Sequence, residues 1–347
     1  MKKAISSVAA LLMALLMLAG CSSQGGESSS AGSSAPGTGS SAPASSAEKT
    51  KVNVFAIKGP TGVGMVNLMK ADEEESAGND YSFQIVSAPD EISGKLSSGE
   101  ADIAALPTNM AATLYGKTEG KLLKMLAVNT LGVLYIMENG DSIQSAADLR
   151  GKTIYTTGQG ANPEYVLKYV LEKNGIDPET DVKIEYVSQN EELAALLANG
   201  TAQVAMVPEP TVTTILAQKP ELRVALNVTE EWDRASGGAS KLMMGCVVVR
   251  SAFAAEHPEA VETFLAEYKA SVEKAAAELE NTAALCESYG IIPKAAVAKQ
   301  AIPRCNLVYI DGAEMKAQIS GYFDVLYAAN PKSVGGAVPD EAFYYGA

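Results

Sequence analysis

The sequence predicts an α/β protein built from two similar lobes. Three observations support this fold class: an internal repeat at an offset of 101 residues, strands that alternate with helices in both copies, and two places where the chain passes between the copies. Strands and helices that alternate in this way are typical of parallel sheets covered by helices on both faces. We therefore expect two mainly parallel sheets, one in each lobe, joined by a hinge of two crossings.

The repeat is clearest where a helix ends and a short apolar strand begins. Residues 98–109 (SGEADIAALPTN) lie over residues 199–210 (NGTAQVAMVPEP). Each copy places a glycine, Gly99 or Gly200, after the amphipathic helix, where a left-handed residue commonly ends a helix. Each copy has a proline after the strand, which suits the first turn of another helix. The same succession of helix, strand and helix is therefore predicted in both lobes.

Two interruptions of the repeat set the lobe boundaries. Apolar strands over residues 122–137 precede the polar turn at residues 138–140, and a continuous apolar strand over residues 242–249 follows the turn at residues 236–238. These turns are typical connections between strands. The resulting assignment is residues 51–138 and 240–347 for lobe 1, and residues 139–239 for lobe 2.

The first 50 residues predict export and attachment to a membrane. Lys2 and Lys3 precede about 16 apolar residues, fewer than the roughly 20 that a spanning helix needs. The ending Leu18-Ala19-Gly20-Cys21 resembles the lipobox of bacterial lipoproteins, which implies a lipid on Cys21 and cleavage just before it. Ser, Gly, Ala and Pro dominate the next segment, a composition typical of a flexible coil. We therefore expect a signal peptide over residues 1–20 and a tether over residues 21–50.

The composition argues against binding of nucleic acid and against a metal site. The formal net charge of −14 argues against nucleic acid, because binding to phosphates depends on basic patches. If Cys21 carries lipid, then Cys246, Cys286 and Cys305 cannot all pair. A disulfide between Cys286 and Cys305 and three buried thiols both remain open. Since no spacing of His and Cys suggests metal ligands, we expect neither a metal nor a cofactor.

Four segments carry a resemblance to a known family: the lipobox, residues 99–104 (GEADIA), residues 145–156 (SAADLRGKTIYT) and residues 193–210. With them the chain resembles the solute-binding proteins of ABC transporters, in the nitrate, sulfonate, taurine and thiamine-precursor branch. The resemblance implies a two-lobed periplasmic-binding-protein-like fold. It also implies a small-molecule ligand, an ABC permease and its ATPase as partners, and an extracytoplasmic position on the membrane.

The ligand site is expected where the carboxyl ends of the strands face each other across the two lobes, because ligands of open α/β sheets bind there. This rule selects Gly59, Pro60, Thr61, Gly62, Thr108, Asn109, Thr130 and Leu131 in lobe 1, and Thr157, Gly158, Gln159, Asn162 and Glu209 in lobe 2. Trp232 lies near a crossing and is expected to stack on a ring of the ligand. Capped turns, a solvated glutamate and hinge packing are the competing interpretations of these residues.

Glu209 stands between two prolines and is expected to aim its carboxylate into the cleft. Such an acceptor favours a neutral or amine-bearing heterocycle as the ligand. One position departs from the family: many relatives have an aromatic residue before Glu-Pro, whereas Pro208 stands here. A stacking contact from that position therefore does not transfer.

Together these observations predict a lipid-anchored extracytoplasmic receptor of an ABC importer, not an enzyme. Two alternatives belong to other classes. One is a lipoprotein that senses its ligand without transport. The other is a bilobed enzyme resembling those of the menaquinone and thiamine pathways, which work in the cytoplasm and, for the thiamine type, require a cysteine and histidine cluster that this sequence does not have.

Overall fold

The computed structural model describes residues 49–347. The expected signal peptide, the lipid on Cys21 and nearly all of the tether lie outside the described residues. Eleven strands form two sheets in the part that is described. In chain order the strands are β1 (Lys51–Ile57), β2 (Asp80–Val86), β3 (Ile103–Pro107), β4 (Leu123–Leu131), β5 (Leu134–Glu138), β6 (Thr153–Thr156), β7 (Lys183–Tyr186), β8 (Val204–Pro208), β9 (Arg223–Asn227), β10 (Met243–Arg250) and β11 (Leu307–Asp311).

Thirteen α-helices cover these sheets in the described chain. They are α1 (Pro60–Val63), α2 (Val66–Glu73), α3 (Pro89–Ser98), α4 (Thr108–Lys117), α5 (Asn162–Lys173), α6 (Asn190–Ala198), α7 (Thr211–Gln218), α8 (Val228–Ser236), α9 (Ser251–Glu256), α10 (Pro258–Ala277), α11 (Leu279–Ser288), α12 (Ala295–Ala301) and α13 (Gly312–Ala329). Short 3-10 turns occupy Ala146–Leu149, Ile302–Arg304, Pro331–Val334 and Glu341–Phe343. None of the helices between residues 49 and 347 has both the length and the apolar character needed to cross a membrane.

The first sheet has the order β11-β4-β10-β3-β1-β2, and the second has the order β7-β6-β8-β5-β9. We call the first sheet with its helices lobe 1 and the second sheet with its helices lobe 2. The repeat is visible in both, since β3 and β8 begin and end 101 residues apart. Gly99 and Gly200 have φ of +78° and +79°, the left-handed conformation expected where α3 and α6 end. The α/β class and the two-sheet architecture are therefore confirmed.

Strand directions are more mixed than the predicted mainly parallel sheets. In lobe 1, β1 pairs in parallel with β2 and β3, but β10 is antiparallel to both of its neighbours. In lobe 2, β6 pairs in parallel with β7 and β8, but β5 is antiparallel to both β8 and β9. The reason is that both antiparallel strands come directly from a crossing: β10 enters the sheet of lobe 1, and β5 enters the sheet of lobe 2. Each lobe thus contains a parallel repeat unit completed by an antiparallel strand from the connection between the lobes.

The outgoing crossing lies earlier in the chain than predicted. Residues 134–138 were expected to stay in lobe 1, but β5 pairs with β8 and β9 in lobe 2. The chain therefore passes between the sheets at Gly132 and Val133. A Cβ atom at Gly132 would overlap the hydroxyl of Thr229 and the side chain of Leu242, so the crossing requires glycine there. Strand β4 extends through Thr130 to Leu131, and the chain leaves lobe 1 directly after it.

The three cysteines in the described chain are free and buried: Cys246, Cys286 and Cys305. The sequence left open a disulfide between Cys286 and Cys305 or three buried thiols, and the structure contains the three buried thiols. Burial raises the pKa of the Cys286 thiol to about 12, which keeps it protonated at neutral pH. Cys286 lies in an apolar cluster with Val63, Val66 and Ile292, which packs α11 onto the first helices of lobe 1.

A buried carboxylate fixes the beginning of lobe 2. Glu138 ends β5 and is only 2% exposed. It accepts hydrogen bonds from the backbone N–H groups of Ser142 (2.8 Å) and Ile143 (3.1 Å), and its Oε2 lies 2.7 Å from Nη2 of Arg223. Burial acts to raise the pKa of Glu138, but these donors outweigh burial and hold the pKa below its ordinary value.

We predict that Glu138→Gln lowers the free energy of unfolding by about 1–3 kcal/mol at pH 7, because Arg223 and the two N–H groups lose a charged acceptor. A depressed pKa contributes stability above the pKa of the unfolded state, about 4.3, and that contribution is lost as the pH falls through the folded value. Urea unfolding at pH 7 and pH 3.5 should therefore show a smaller difference at the lower pH. Glu119→Gln, which removes an exposed pair with Lys121, is the control and should change little. Equal losses in both variants would refute the role of Glu138.

Candidate functional site

A small cavity lies between the two lobes, where the carboxyl ends of strands from both sheets meet. Its volume is about 180 Å³. Lobe 1 contributes Pro60, Thr61, Pro107, Asn109, Thr130 and Met244; the crossing and lobe 2 contribute Val133, Ala161, Asn162 and Pro163. None of these side chains is charged, and most of the surface that faces the cavity is apolar. The polar side chains of the lining are Thr61, Asn109, Thr130 and Asn162.

Two helices of opposite lobes begin at the cavity. Strand β3 ends at Pro107 and α4 begins at Thr108, while Ala161 precedes the first residue of α5. Neither Pro107 nor Ala161 provides a side-chain cap. The first N–H groups of a helix have no intrahelical partner and form its positive end. The positive ends of two helices therefore lie at the cavity without a basic side chain. In α5 the second residue, Pro163, has no N–H group, so fewer backbone donors are available there than in α4.

Close backbone packing holds the wall that Thr61 forms. Gly59, just before α1, has φ of +93°, a conformation that favours glycine. Strand β10 passes directly behind this turn, and a Cβ atom at Gly245 would lie 2.6 Å from Cγ2 of Thr61. A side chain at position 245 would therefore push Thr61 into the cavity.

Asn162 joins the two lobes at the cavity. Its Nδ2 donates to the carbonyl oxygen of Met244 at 3.2 Å and to Oγ1 of Thr108 at 3.4 Å. The hydroxyl of Thr108 in turn donates to the carbonyl oxygen of Met243 at 2.7 Å. The first residue of α5 in lobe 2 thus contacts both β10 and α4 in lobe 1. This contact places the cavity where the lobes touch.

The structure brings together part of the residue set selected from the sequence. Five of those residues line the cavity: Pro60, Thr61, Asn109, Thr130 and Asn162. Gly59 and Gly62 form the backbone of the α1 turn, and Thr108 supports Asn162 from behind. Leu131 packs against the hydrophobic core. These positions follow from the same strand ends on which the sequence argument relied.

The turn after β6 lies partly elsewhere. Thr157 donates its hydroxyl to Oδ1 of Asn190 at 3.0 Å, a bond that stays within lobe 2. Gly158 has φ of +80° and shapes the turn. Gln159 lines a larger groove of about 700 Å³ between α5 and α13, along with charged side chains such as Lys168 and Asp324. This groove is distinct from the uncharged cavity.

Glu209 does not present a free carboxylate to the cleft. It is only 1% exposed, and its Oε1 lies 2.7 Å from Nε of Arg304, which precedes β11 in lobe 1. Thr213 donates to Glu209 through its backbone N–H (3.2 Å) and its hydroxyl (3.1 Å). Burial raises the pKa of Glu209, and Arg304 opposes this increase. Because its acceptors are engaged, Glu209 no longer supports an amine-bearing ligand.

Trp232 does not stack on a ligand in this arrangement, contrary to expectation. Its side chain is fully buried, with ring centroids 4.4 Å from Tyr169 and 5.4 Å from Tyr322. Tyr169 belongs to α5 in lobe 2, and Tyr322 belongs to α13 on lobe 1. Trp232 therefore packs where α8, α5 and α13 meet.

Sequence reasoning did not select the apolar part of the lining. Met244 lies within a continuous apolar strand, which alone cannot be told from core. Val133 falls within residues 51–138, which the sequence assigns to lobe 1, and Ala161 and Pro163 have no side-chain group that would indicate a site. Arg304 lies beyond the segment that carried the family resemblance. Among residues 49–347, no cluster of three or more His, Cys, Asp or Glu side chains has the arrangement of a metal site.

A family model described as the phosphonate periplasmic substrate-binding protein of ABC transporters matches residues 71–293. This span is more than half of the 347-residue chain, so the protein belongs to this family of periplasmic substrate-binding proteins. A search of curated protein sequences returns no match.

Solved structures confirm the two-lobed fold of periplasmic binding proteins. An ABC transporter protein from Parabacteroides distasonis superimposes with a TM-score of 0.72 and 23% identity, over 86% of this chain and 99% of that chain. The periplasmic aliphatic sulphonate-binding protein SsuA of Escherichia coli gives 0.68 and 16%, over 86% and 92%. The periplasmic nitrate-binding protein NrtA of Synechocystis gives 0.53 and 17%, over 69% and 66%. The family model confirms the family resemblance seen in the sequence, and the solved structures confirm the fold.

We predict that Arg304→Ala lowers the free energy of unfolding by about 1–3 kcal/mol at pH 7, because it leaves the Glu209 carboxylate buried without its cation. The expected loss of stability is smaller than for a fully buried ion pair, because the side chain of Arg304 is 35% exposed. A raised folded pKa makes the protein relatively more stable in acid, and this advantage is lost as the pH rises through the folded value. The defect should therefore be smaller at pH 4.5 than at pH 7.

Chemical unfolding of Arg304→Ala, Glu209→Gln and the double variant measures the coupling between the two side chains. The double variant should be more stable than the sum of the single losses implies. Arg150→Ala, which removes a largely exposed pair with Asp181, serves as the control. Additive losses at positions 209 and 304 would show that the two side chains do not interact.

Proposed function

We propose that this protein captures a compact organic solute with an oxyanion head in the cavity between its lobes and delivers it to an ABC permease. The observation that carries the proposal is the convergence of two uncapped helix N-termini, those of α4 and α5, on one cavity from opposite lobes. Such N-termini bind anions through backbone N–H groups and the helix dipole.

The oxyanion class has independent support. The description of the matching family names phosphonate, and the structural neighbours include sulphonate- and nitrate-binding proteins. No carboxylate lines the cavity to repel an anion. The volume of about 180 Å³ lies below the range of about 300–1,000 Å³ for drug-sized ligands, which favours a head group with a short chain.

Binding in this position couples the solute to closure of the lobes. A ligand shifts a conformational equilibrium only through a difference in affinity between the two states. A solute held by Thr61 and Asn109 on one side and by the first turn of α5 on the other makes both sets of contacts only when the lobes meet. We expect the permease to recognise this closed form.

The same proposal includes attachment to the extracytoplasmic face of the membrane through lipid on Cys21. The lipobox at residues 18–21 and the Ser-rich and Gly-rich segment behind it support this attachment. The tether would let the binding domain move near the membrane while it remains close to the permease.

Thermal unfolding of the purified protein with candidate solutes tests the ligand class. Methylphosphonate, ethylphosphonate, ethanesulfonate and nitrate are compared with ethylamine and thiamine at equal ionic strength. We expect stabilisation by one of the oxyanions, reaching about 2.7 kcal/mol at a concentration one hundred times Kd. Stabilisation by the amines alone would contradict the proposed class.

Replacing the lipidated residue tests attachment. We expect Cys21→Ala to move the protein from the membrane fraction to the soluble fraction, because the acyl chains can no longer be added. Metabolic labelling with a fatty acid should mark the parent protein and not the variant. Cys286→Ala, which alters a buried thiol, is the control and should stay on the membrane. A membrane-bound, unlabelled parent protein would refute lipid attachment.

A further inference from the structure

We infer that the solute carries an N–H or O–H donor close to its oxyanion head, and that Asn162 and Asn109 accept hydrogen bonds from it. This inference rests on the proposed function and makes the substrate class narrower. It depends on the buried, unpaired amide oxygens of two residues that line the cavity from opposite lobes.

The amide of Asn162 has a fixed orientation. The single proton of the Thr108 hydroxyl is donated to the carbonyl oxygen of Met243, so the hydroxyl oxygen can only accept from Asn162. The carbonyl oxygen of Met244 is likewise an acceptor. The atom of Asn162 that contacts both must be Nδ2, and the other end of the amide is therefore Oδ1.

Oδ1 of Asn162 has no hydrogen-bond partner among residues 49–347, although the residue is only 2% exposed and lines the cavity. Oδ1 of Asn109, on the opposite wall, is also without a partner in the described chain, and Asn109 is 7% exposed. Buried amide oxygens are paired in the great majority of native structures. Two unpaired acceptors on one cavity therefore point to donors on the bound molecule.

Thr130 adds a third acceptor on the same wall. Its hydroxyl donates to Oδ1 of Asn129 at 3.0 Å, which leaves the lone pairs of the Thr130 oxygen available. Asn129 is held in turn, since its Nδ2 donates to the carbonyl oxygen of Thr61 and to the hydroxyl of Tyr268. The lining thus combines acceptor side chains with the donor ends of α4 and α5.

A solute that has only hydrogen-bond acceptors can pair with the donors of this lining but not with its acceptors. It would pair with the helix N-termini but leave the amide oxygens buried and unpaired. A site built to bind a hydroxyl or amino group discriminates strongly against an analogue that has a methyl group instead. The donor on the solute is therefore expected to determine selectivity within the oxyanion class.

Calorimetry with matched solute pairs tests this inference on the full protein. Each pair replaces a hydroxyl by a methyl group at nearly equal volume: hydroxymethylphosphonate against ethylphosphonate, and 2-hydroxyethanesulfonate against 1-propanesulfonate. We expect the hydroxyl member of at least one pair to bind about tenfold tighter or more. In Asn162→Leu and Asn109→Leu the ratio of the two dissociation constants in that pair should fall toward one.

The variants are separated from general damage by their unfolding temperatures without solute. Asn109→Leu removes no hydrogen bond that the described structure contains, so it tests the inference even if Asn162→Leu unfolds. Asn281→Leu, on the exposed surface of α11, is the matched control and should keep the parent preference.

The outcomes distinguish the two proposals. Equal binding of both members of each pair to the parent protein would overturn the donor requirement and leave the oxyanion receptor standing. A preference that survives in both Asn109→Leu and Asn162→Leu would also overturn it. Binding of no phosphonate or sulfonate at millimolar concentration would overturn the proposed ligand class itself.

Discussion

The exchange of one strand between the two sheets is the constraint on which the rest of this structure depends. Strand β10 returns from lobe 2 to complete the first sheet, and β5 leaves lobe 1 to complete the second. Strand β10 pairs with β3, and β5 pairs with β8. Both pairings extend to the proline at the end of the repeat strand, since Gly245 lies opposite Pro107 and Leu134 lies opposite Pro208. The crossings therefore join the carboxyl ends of β3 and β8, and Met244 and Val133 beside them become part of the cavity wall.

This placement accounts for the chemistry of the cavity. Helices that follow parallel strands begin at the carboxyl ends, so α4 and α5 direct their N–H groups toward the same space. The lobes also meet there through Asn162, and farther away through the pair of Glu209 and Arg304. Charged side chains thus hold the lobes together at a distance, while neutral groups line the cavity. Asn162 belongs both to the cavity lining and to the contacts between the lobes, whereas the pair of Glu209 and Arg304 contributes only to the contacts between the lobes.

The sequence predicted those parts of the fold that depend on local pattern. The glycine after each helix and the proline after each strand placed β3 and β8 correctly, and with them Asn109 and the turn at Thr61. The sheet that β5 joins was not predictable, because an apolar strand of five residues has the same pattern in either lobe. The engagement of Glu209 was missed because its partner, Arg304, is distant in the sequence and gives no local signal.

The buried position of Trp232 illustrates the same limit. Trp232 lies on α8, which comes before the return of the chain to lobe 1, and its contact with Tyr322 depends on how α13 packs across the lobes. Similarly, the unpaired oxygen of Asn162 follows from the hydroxyl of Thr108 and a carbonyl of β10, none of which a sequence pattern reveals. Long-range pairing decides which polar residues remain free for a ligand.

A crystal structure of the protein grown with its most stabilising solute would show directly where the solute binds. We expect the oxyanion at the N-termini of α4 and α5, with a donor of the solute within hydrogen-bond distance of Oδ1 of Asn162. Density for the solute in the charged groove between α5 and α13, with the cavity at Thr61 and Asn109 collapsed, would contradict this expectation.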